Sequence, residues 1–136
     1  TSPEKGTAKQ SIHQARVVEN HGLEGDAHAG AWHRQVSLLS HESIERFKAE
    51  GAQVTEGAFG ENLIVSGIDL LSLPVGTKLQ CGSIVLQITQ IGKECHHGCA
   101  IFQQMGRCIM PHEGVFARVL QGGEIHEGDE IQVLEP

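Results

Sequence analysis

Three of the chain's four cysteines and two adjacent histidines fall within Gly92–Met110, GKECHHGCAIFQQMGRCIM. Soft ligands gathered just past an apolar alternating run, Ile84 to Ile91, are where a metal, a sulfur transfer or a redox reaction would sit. Cys95 is the best placed of them, beside Lys93, His96 and His97. Nearby cationic groups lower a thiol's pKa and raise the fraction of thiolate, the form that attacks and binds metals. A different chemistry is open to the same residues: Cys95, Cys99 and Cys108, spaced C-x3-C-x8-C, could complete a tetrahedral zinc site with His96. Structural zinc sites usually carry a tight knuckle on both sides, and here only one side has it. The third reading is burial of the thiols as small hydrophobes. Cys81 lies in an ordinary strand pattern and reads as structural.

A second group lies near the front of the chain, in Gly25-Asp26-Ala27-His28-Ala29-Gly30 followed by Trp32-His33-Arg34. Glycines let backbone N–H groups approach an anion, and a guanidinium grips phosphate through two parallel hydrogen bonds. The spacing matches neither a P-loop nor a dinucleotide fingerprint. The plainer alternative is that Asp26 organises the turn while Arg34 is solvated. A third group, Gly57 to Leu63, sets Glu61 and Asn62 just before a strand. The Asn62 amide both donates and accepts, which suits a heterocycle, but it could equally satisfy the loop's own backbone. Glu61 could act as a general base. Gly122 to Ile125 and Glu127 to Ile131 read as structural turns without chemistry.

These groups need elements to hold them. Ser11–Glu19 partly alternates and is predicted as a strand, followed by a long irregular loop over Asn20–His33. Gln35–Leu39 is a short buried strand. Ser40 is placed to cap a helix over His41–Glu50, with Ile44 and Phe47 facing the core and Gly51 stopping it. Glu61–Val65 is a strand and Gly67–Leu73 a bend or short strand. Thr77–Cys81 and Ser83–Ile91 form a hairpin about Gly82. Ala100–Met105 is a candidate short helix, and Gly114–Leu120 and Glu130–Leu134 are closing strands. Many short strands, glycine turns and one or two short helices predict a mostly β fold, a small barrel.

At 136 residues the chain is read as one domain, 1–136, long enough to bury a core without staples. It opens at Thr1, so an extreme N-terminal strand could be missing. With four Phe, one Trp and no Tyr, that core must come from Val, Ile, Leu and Ala. A net charge of −7 argues against nucleic acid or an anionic membrane as the main partner, since both reward a basic face. No apolar run approaches the ~20 residues that span a bilayer. Four unevenly spaced cysteines look like the reduced thiols of a cytoplasmic protein rather than a disulfide scaffold.

Taken in order, GLEGDAHAG with HRQVSLLSHESIE, GAFGENLIVSGIDL, VGTKLQCGSIVLQITQIGKEC and GVFARVLQGGEIHEGDEI resemble the MOSC domain, the family named for the C-terminal part of molybdenum cofactor sulfurase. The pieces span nearly the whole chain from about His21 and look most like the short bacterial type. The resemblance implies a β-barrel like that of pyruvate kinase, and a pterin-bound molybdenum cofactor (molybdopterin) or a sulfur relay to it. The family's characteristic cysteine matches Cys95, which would ligate molybdenum or carry sulfur. By motif position Arg34, His28 and Asn62, together with Lys93, would contact the pterin or its phosphate. Implied partners are the pterin cofactor and a cysteine desulfurase or molybdopterin biosynthesis protein. The enzyme version of the resemblance is a molybdenum-dependent reductase or a sulfurtransferase; the alternative is a non-catalytic zinc-binding or accessory module. The extra Cys99 and Cys108 depart from the family pattern. The desulfurase domain of the larger sulfurases has no counterpart, and pyridoxal phosphate has no site in this sequence.

Overall fold

The structure, a computed structural model, describes residues 1–2, 9, 12–53, 59, 61–92 and 113–134. Its centre is a six-stranded sheet ordered β4-β3-β7-β6-β5-β9, faced by a three-stranded sheet ordered β2-β1-β8. The strands are β1 (Gln14–Val18), β2 (Gly22–Leu23), β3 (Val36–Ser40), β4 (Leu63–Val65), β5 (Lys78–Cys81), β6 (Ile84–Ile91), β7 (Val115–Gln121), β8 (Gly123–His126) and β9 (Gln132–Leu134). The fold is mostly β, a curled half-barrel with one α-helix among the described residues, in line with the mostly β fold the sequence predicts.

The longest pairing, antiparallel β6 with β7, is the backbone of the larger sheet. Ile84, Leu86 and Ile88 alternate inward from β6 and meet Val115, Ala117 and Val119 from β7, which fits a half-buried strand of period two. Leu38 and Val36 of β3, Leu79 of β5, Val17 of β1 and Ile125 of β8 complete the core between the two sheets. The pairing carries a bulge: Ile88 opposes Ala117 and Gln90 opposes Phe116, which leaves Thr89 as the extra residue. Bulges re-aim side chains, and this one turns Thr89 Oγ1 toward the carbonyls of Phe116 and His33.

Helix α1 (His41–Ala49) links β3 to the parallel strand β4. Ser40 Oγ accepts from Ser43 N at 3.4 Å, and Gly51 follows the helix at φ +107°, so the predicted cap and stop are both realised. Ile44 and Phe47 are buried, as the spacing predicts.

Two local expectations are corrected and one is refined. Gly67–Leu73, expected as a bend or short strand, bends at Gly67 and Ile68 and runs into a 3-10 turn at Leu70–Ser72, with Ser72 Oγ donating to Asp69 O and Leu70 supplying the buried anchor. The loop after β1 contains β2, which returns to pair with Val17 and Val18. Gly122–Ile125, read as a turn, falls mostly within strand β8, Gly123–His126, paired with β1 over four residues. Gly122 makes this switch between sheets possible, because a Cβ there would meet Val17 O at 2.5 Å. The candidate helix Ala100–Met105 lies outside the described residues. No helix among the described residues is long and apolar enough to cross a membrane.

Candidate functional site

Lys93, Cys95, His96, Cys99 and Cys108 lie outside the described residues, but both ends of their segment are defined. Gly92 N donates to Gly114 O at 2.7 Å, just beyond the last β6–β7 pair, Ile91 with Val115. The cysteine-bearing chain therefore leaves and rejoins the sheet at adjacent strand ends. The return is fixed by Glu113, whose carboxylate accepts from Ser43 Oγ at 2.9 Å and from the Arg46 guanidinium of α1. That carboxylate in turn raises the Arg46 pKa. At the departure, Gln90 Nε2 donates to Gly92 O at 2.7 Å, and Gln90 Oε1 accepts from His33 Nε2 at 2.8 Å.

His33 is followed by Arg34, two residues before β3. Its guanidinium carbon lies 4.6 Å from the centre of the Trp32 ring and 5.6 Å from that of Phe116. Both rings attract a cation to their faces. Arg34 Nε is buried and has no hydrogen-bond partner among the described residues. A buried donor left unmade costs about 1–3 kcal/mol, so this atom is suited to an external acceptor, above all an anion. Arg34 as a whole is half-buried, so Nε is withdrawn from water while the rest of the side chain keeps some exposure.

Trp32 is itself held by Nε1 donating to His28 O at 2.7 Å. The His28 ring meets Lys9: Nζ donates to Nδ1 at 2.9 Å, which puts the ring's own proton on Nε2. Lys9 also pairs with Asp26 at 2.5 Å, with both side chains buried. Asp26 accepts further from Ser2 N and from Asn62 Nδ2, each at 3.0 Å. Burial pushes the Asp26 carboxyl up, but the bonds from Lys9, Ser2 and Asn62 together outweigh it and hold the group below its ordinary value. Asn62 Oδ1 accepts from Ser37 N at 2.9 Å, so this amide ties the loop before β4 to β3. Glu61 is buried, with Oε1 accepting from Phe59 N at 3.1 Å.

The structure thus joins Arg34, His28 and Asn62 through Trp32, Lys9 and Asp26 into one network. Through His33 and Gln90 the same network reaches the strand end where the cysteine segment begins. Lys9 is the member that sequence reasoning missed. It sits in a polar stretch without periodicity, and its only signal was an acid, Asp26, in a glycine loop that needed a partner. Among the described residues no three His, Cys, Asp or Glu side chains gather to hold a metal. Cys81 is buried in the core, and burial first, then the Asp129 charge, raises its thiol pKa.

The sequence matches the model of the MOSC domain over residues 25–132. No curated protein matches it. Among solved structures, one described as a hypothetical protein is similar with a TM-score of 0.70 at 22% identity, over 94% of this chain and 64% of that one. YiiM from Geobacillus stearothermophilus gives 0.68 at 23% identity, over 92% and 62%. YiiM from Escherichia coli gives 0.67 at 20% identity, over 90% and 63%. These likenesses concern the fold, and the chain spans less than two thirds of the length of each of those structures.

Proposed function

Since the chain belongs to the MOSC domain family, we propose that it binds the molybdenum cofactor and uses Cys95 as the metal ligand or as the carrier of sulfur destined for the cofactor. The observation that carries this reading is Arg34, a stacked guanidinium whose buried Nε has no hydrogen-bond partner among the described residues, next in sequence to His33, which bonds Gln90 at the strand end where the cysteine segment begins. That donor fits a group bearing phosphate, as the pterin cofactor does.

In this reading Arg34 binds the anionic end, and Trp32 and Phe116 keep its guanidinium flat and oriented. His28 offers its Nε2 proton to the pterin, while Lys9 and Asp26 keep the ring in that tautomer. Asn62 acts chiefly through Asp26 and Ser37, bracing the loop against β3. Lys93 would favour the thiolate of Cys95, the form needed both to ligate a soft metal and to hold sulfur as persulfide. When bound, the cofactor would supply two-electron chemistry at its metal. A cysteine desulfurase or a molybdopterin biosynthesis protein is the fitting partner, and the cytoplasm the fitting compartment.

The test is the molybdenum and pterin content of protein made in a host that synthesises the cofactor, with wild type beside Cys95→Ala and Arg34→Gln. Loss of pterin from Arg34→Gln, and loss of molybdenum or of persulfide from Cys95→Ala, is the expected result. Stoichiometric zinc without pterin, lost on replacing Cys99 or Cys108, would replace this reading with a structural metal module.

A further inference from the structure

A groove of about 470 Å³ runs along the outer face of β6, with Asn20, Trp32, His33, Val75, Thr89 and Arg118 among its walls. Its volume lies within the ~300–1,000 Å³ of small-molecule clefts. Among the described residues no carboxylate lines it, although the chain carries 17 acidic residues against 10 basic ones. Its charged wall is braced by two other lining residues: Arg118 Nε donates to Gln87 Oε1 at 3.0 Å, and Gln87 Nε2 donates to Gly76 O at 3.3 Å. The two terminal nitrogens of Arg118 make no hydrogen bond among the described residues, and no acid pairs with it there. The other walls are fixed as well, Trp32 by His28 O and the stacked Arg34, His33 by Gln90.

We propose that this groove binds a phosphorylated planar heterocycle of mononucleotide size, with the phosphate on the Arg118 fork and the ring against Trp32. A pre-oriented guanidinium recognises phosphate through two parallel bonds, and an indole offers a planar ring a stacking surface. With no acid among the described lining residues, an anion is not repelled there in a protein of net charge −7. The site goes beyond the cofactor reading, since its anion contact is Arg118 and not Arg34.

Trp32 is the only Trp in a chain without Tyr, so intrinsic fluorescence reports on ligands that reach this wall or the Arg34 stacked on it, and the arginine variants separate the two. Guanosine monophosphate is titrated into protein from a host unable to make the molybdenum cofactor, which keeps the result independent of the cofactor reading. Saturable quenching is expected, weakened by about tenfold or more in Arg118→Gln, the loss expected of a charge-assisted fork. Guanosine without phosphate should bind more weakly by a similar factor. Arg118→Lys, which keeps the charge and loses the fork, should fall between wild type and Arg118→Gln. Quenching that never saturates, equal affinity for guanosine, or an Arg118→Gln protein that binds like wild type overturns the proposal. So does saturation that survives in Arg118→Gln but is lost in Arg34→Gln, which would put the nucleotide on the cofactor site.

Discussion

Asp26 and Lys9 are a buried ion pair, and such pairs are expensive to break from one side. Asp26→Asn leaves the Lys9 ammonium without its counter-charge, and a loss of about 3–5 kcal/mol in urea unfolding is expected. The pH dependence has a definite sign. A carboxyl whose folded pKa is depressed contributes fully above its unfolded value near ~3.9, and the contribution is withdrawn as pH falls through the lower folded value. Wild type should therefore lose stability on acidification below that range more steeply than Asp26→Asn; parallel urea midpoints between neutral and acidic pH would contradict the pairing. Cys81 gives a second prediction at this scale. Its burial and raised pKa should keep it unlabelled by iodoacetamide in the native protein, with peptide mapping showing modification only after denaturant is added.

At the scale of elements, the tight places are where strands and loops press together. Gly22 in β2 has φ +128°, and a Cβ there would meet Gln35 O at 2.5 Å, a backbone atom that cannot step aside. Gly22→Ala should cost about 2–4 kcal/mol, read as a lowered urea midpoint; a change within experimental error would mean that β2 is not seated as described. The cap of α1 is a milder case. Ser40→Ala removes the acceptor for Ser43 N and should cost about 0.5–2 kcal/mol. Because α1 also holds Glu113 through Ser43 and Arg46, the cap bears on where the cysteine segment rejoins the sheet.

For the whole molecule, stability should be graded from the centre of the larger sheet outward. The amides of β3, β6 and β7 lie between neighbours on both sides and border the core, whereas β2 and β9 are short and sit at sheet edges. In hydrogen-exchange mass spectrometry the central three should open last and together, near global unfolding. Peptides of β2 or β9 that outlast β6 and β7 would refute this order. The bulge at Thr89 lies within β6, so the same experiment should find it among the slowly opening amides.

By itself the sequence determined the elements whose signals are local. The alternation of Ile84, Leu86 and Ile88, the Ser40 cap, the Ile44–Phe47 spacing and the Gly51 stop depend on neighbours a few residues away, and each is realised. It also carried the family, through motifs spread from the Gly25 loop to the last strands. Only the tertiary structure decided what these motifs touch. Gly123–His126 has the composition of a turn, and pairing with β1, over 100 residues earlier, makes it a strand. Lys9 becomes buried because Asp26 is, and Arg34 is stacked because Trp32 and Phe116 close on it from separate segments. The Lys9–Asp26 and Arg34–Phe116 contacts join residues far apart in the chain, and no periodicity encodes them. Burial and charge pairing at a distance set which polar groups are satisfied and which, like Arg34 Nε, wait for a partner.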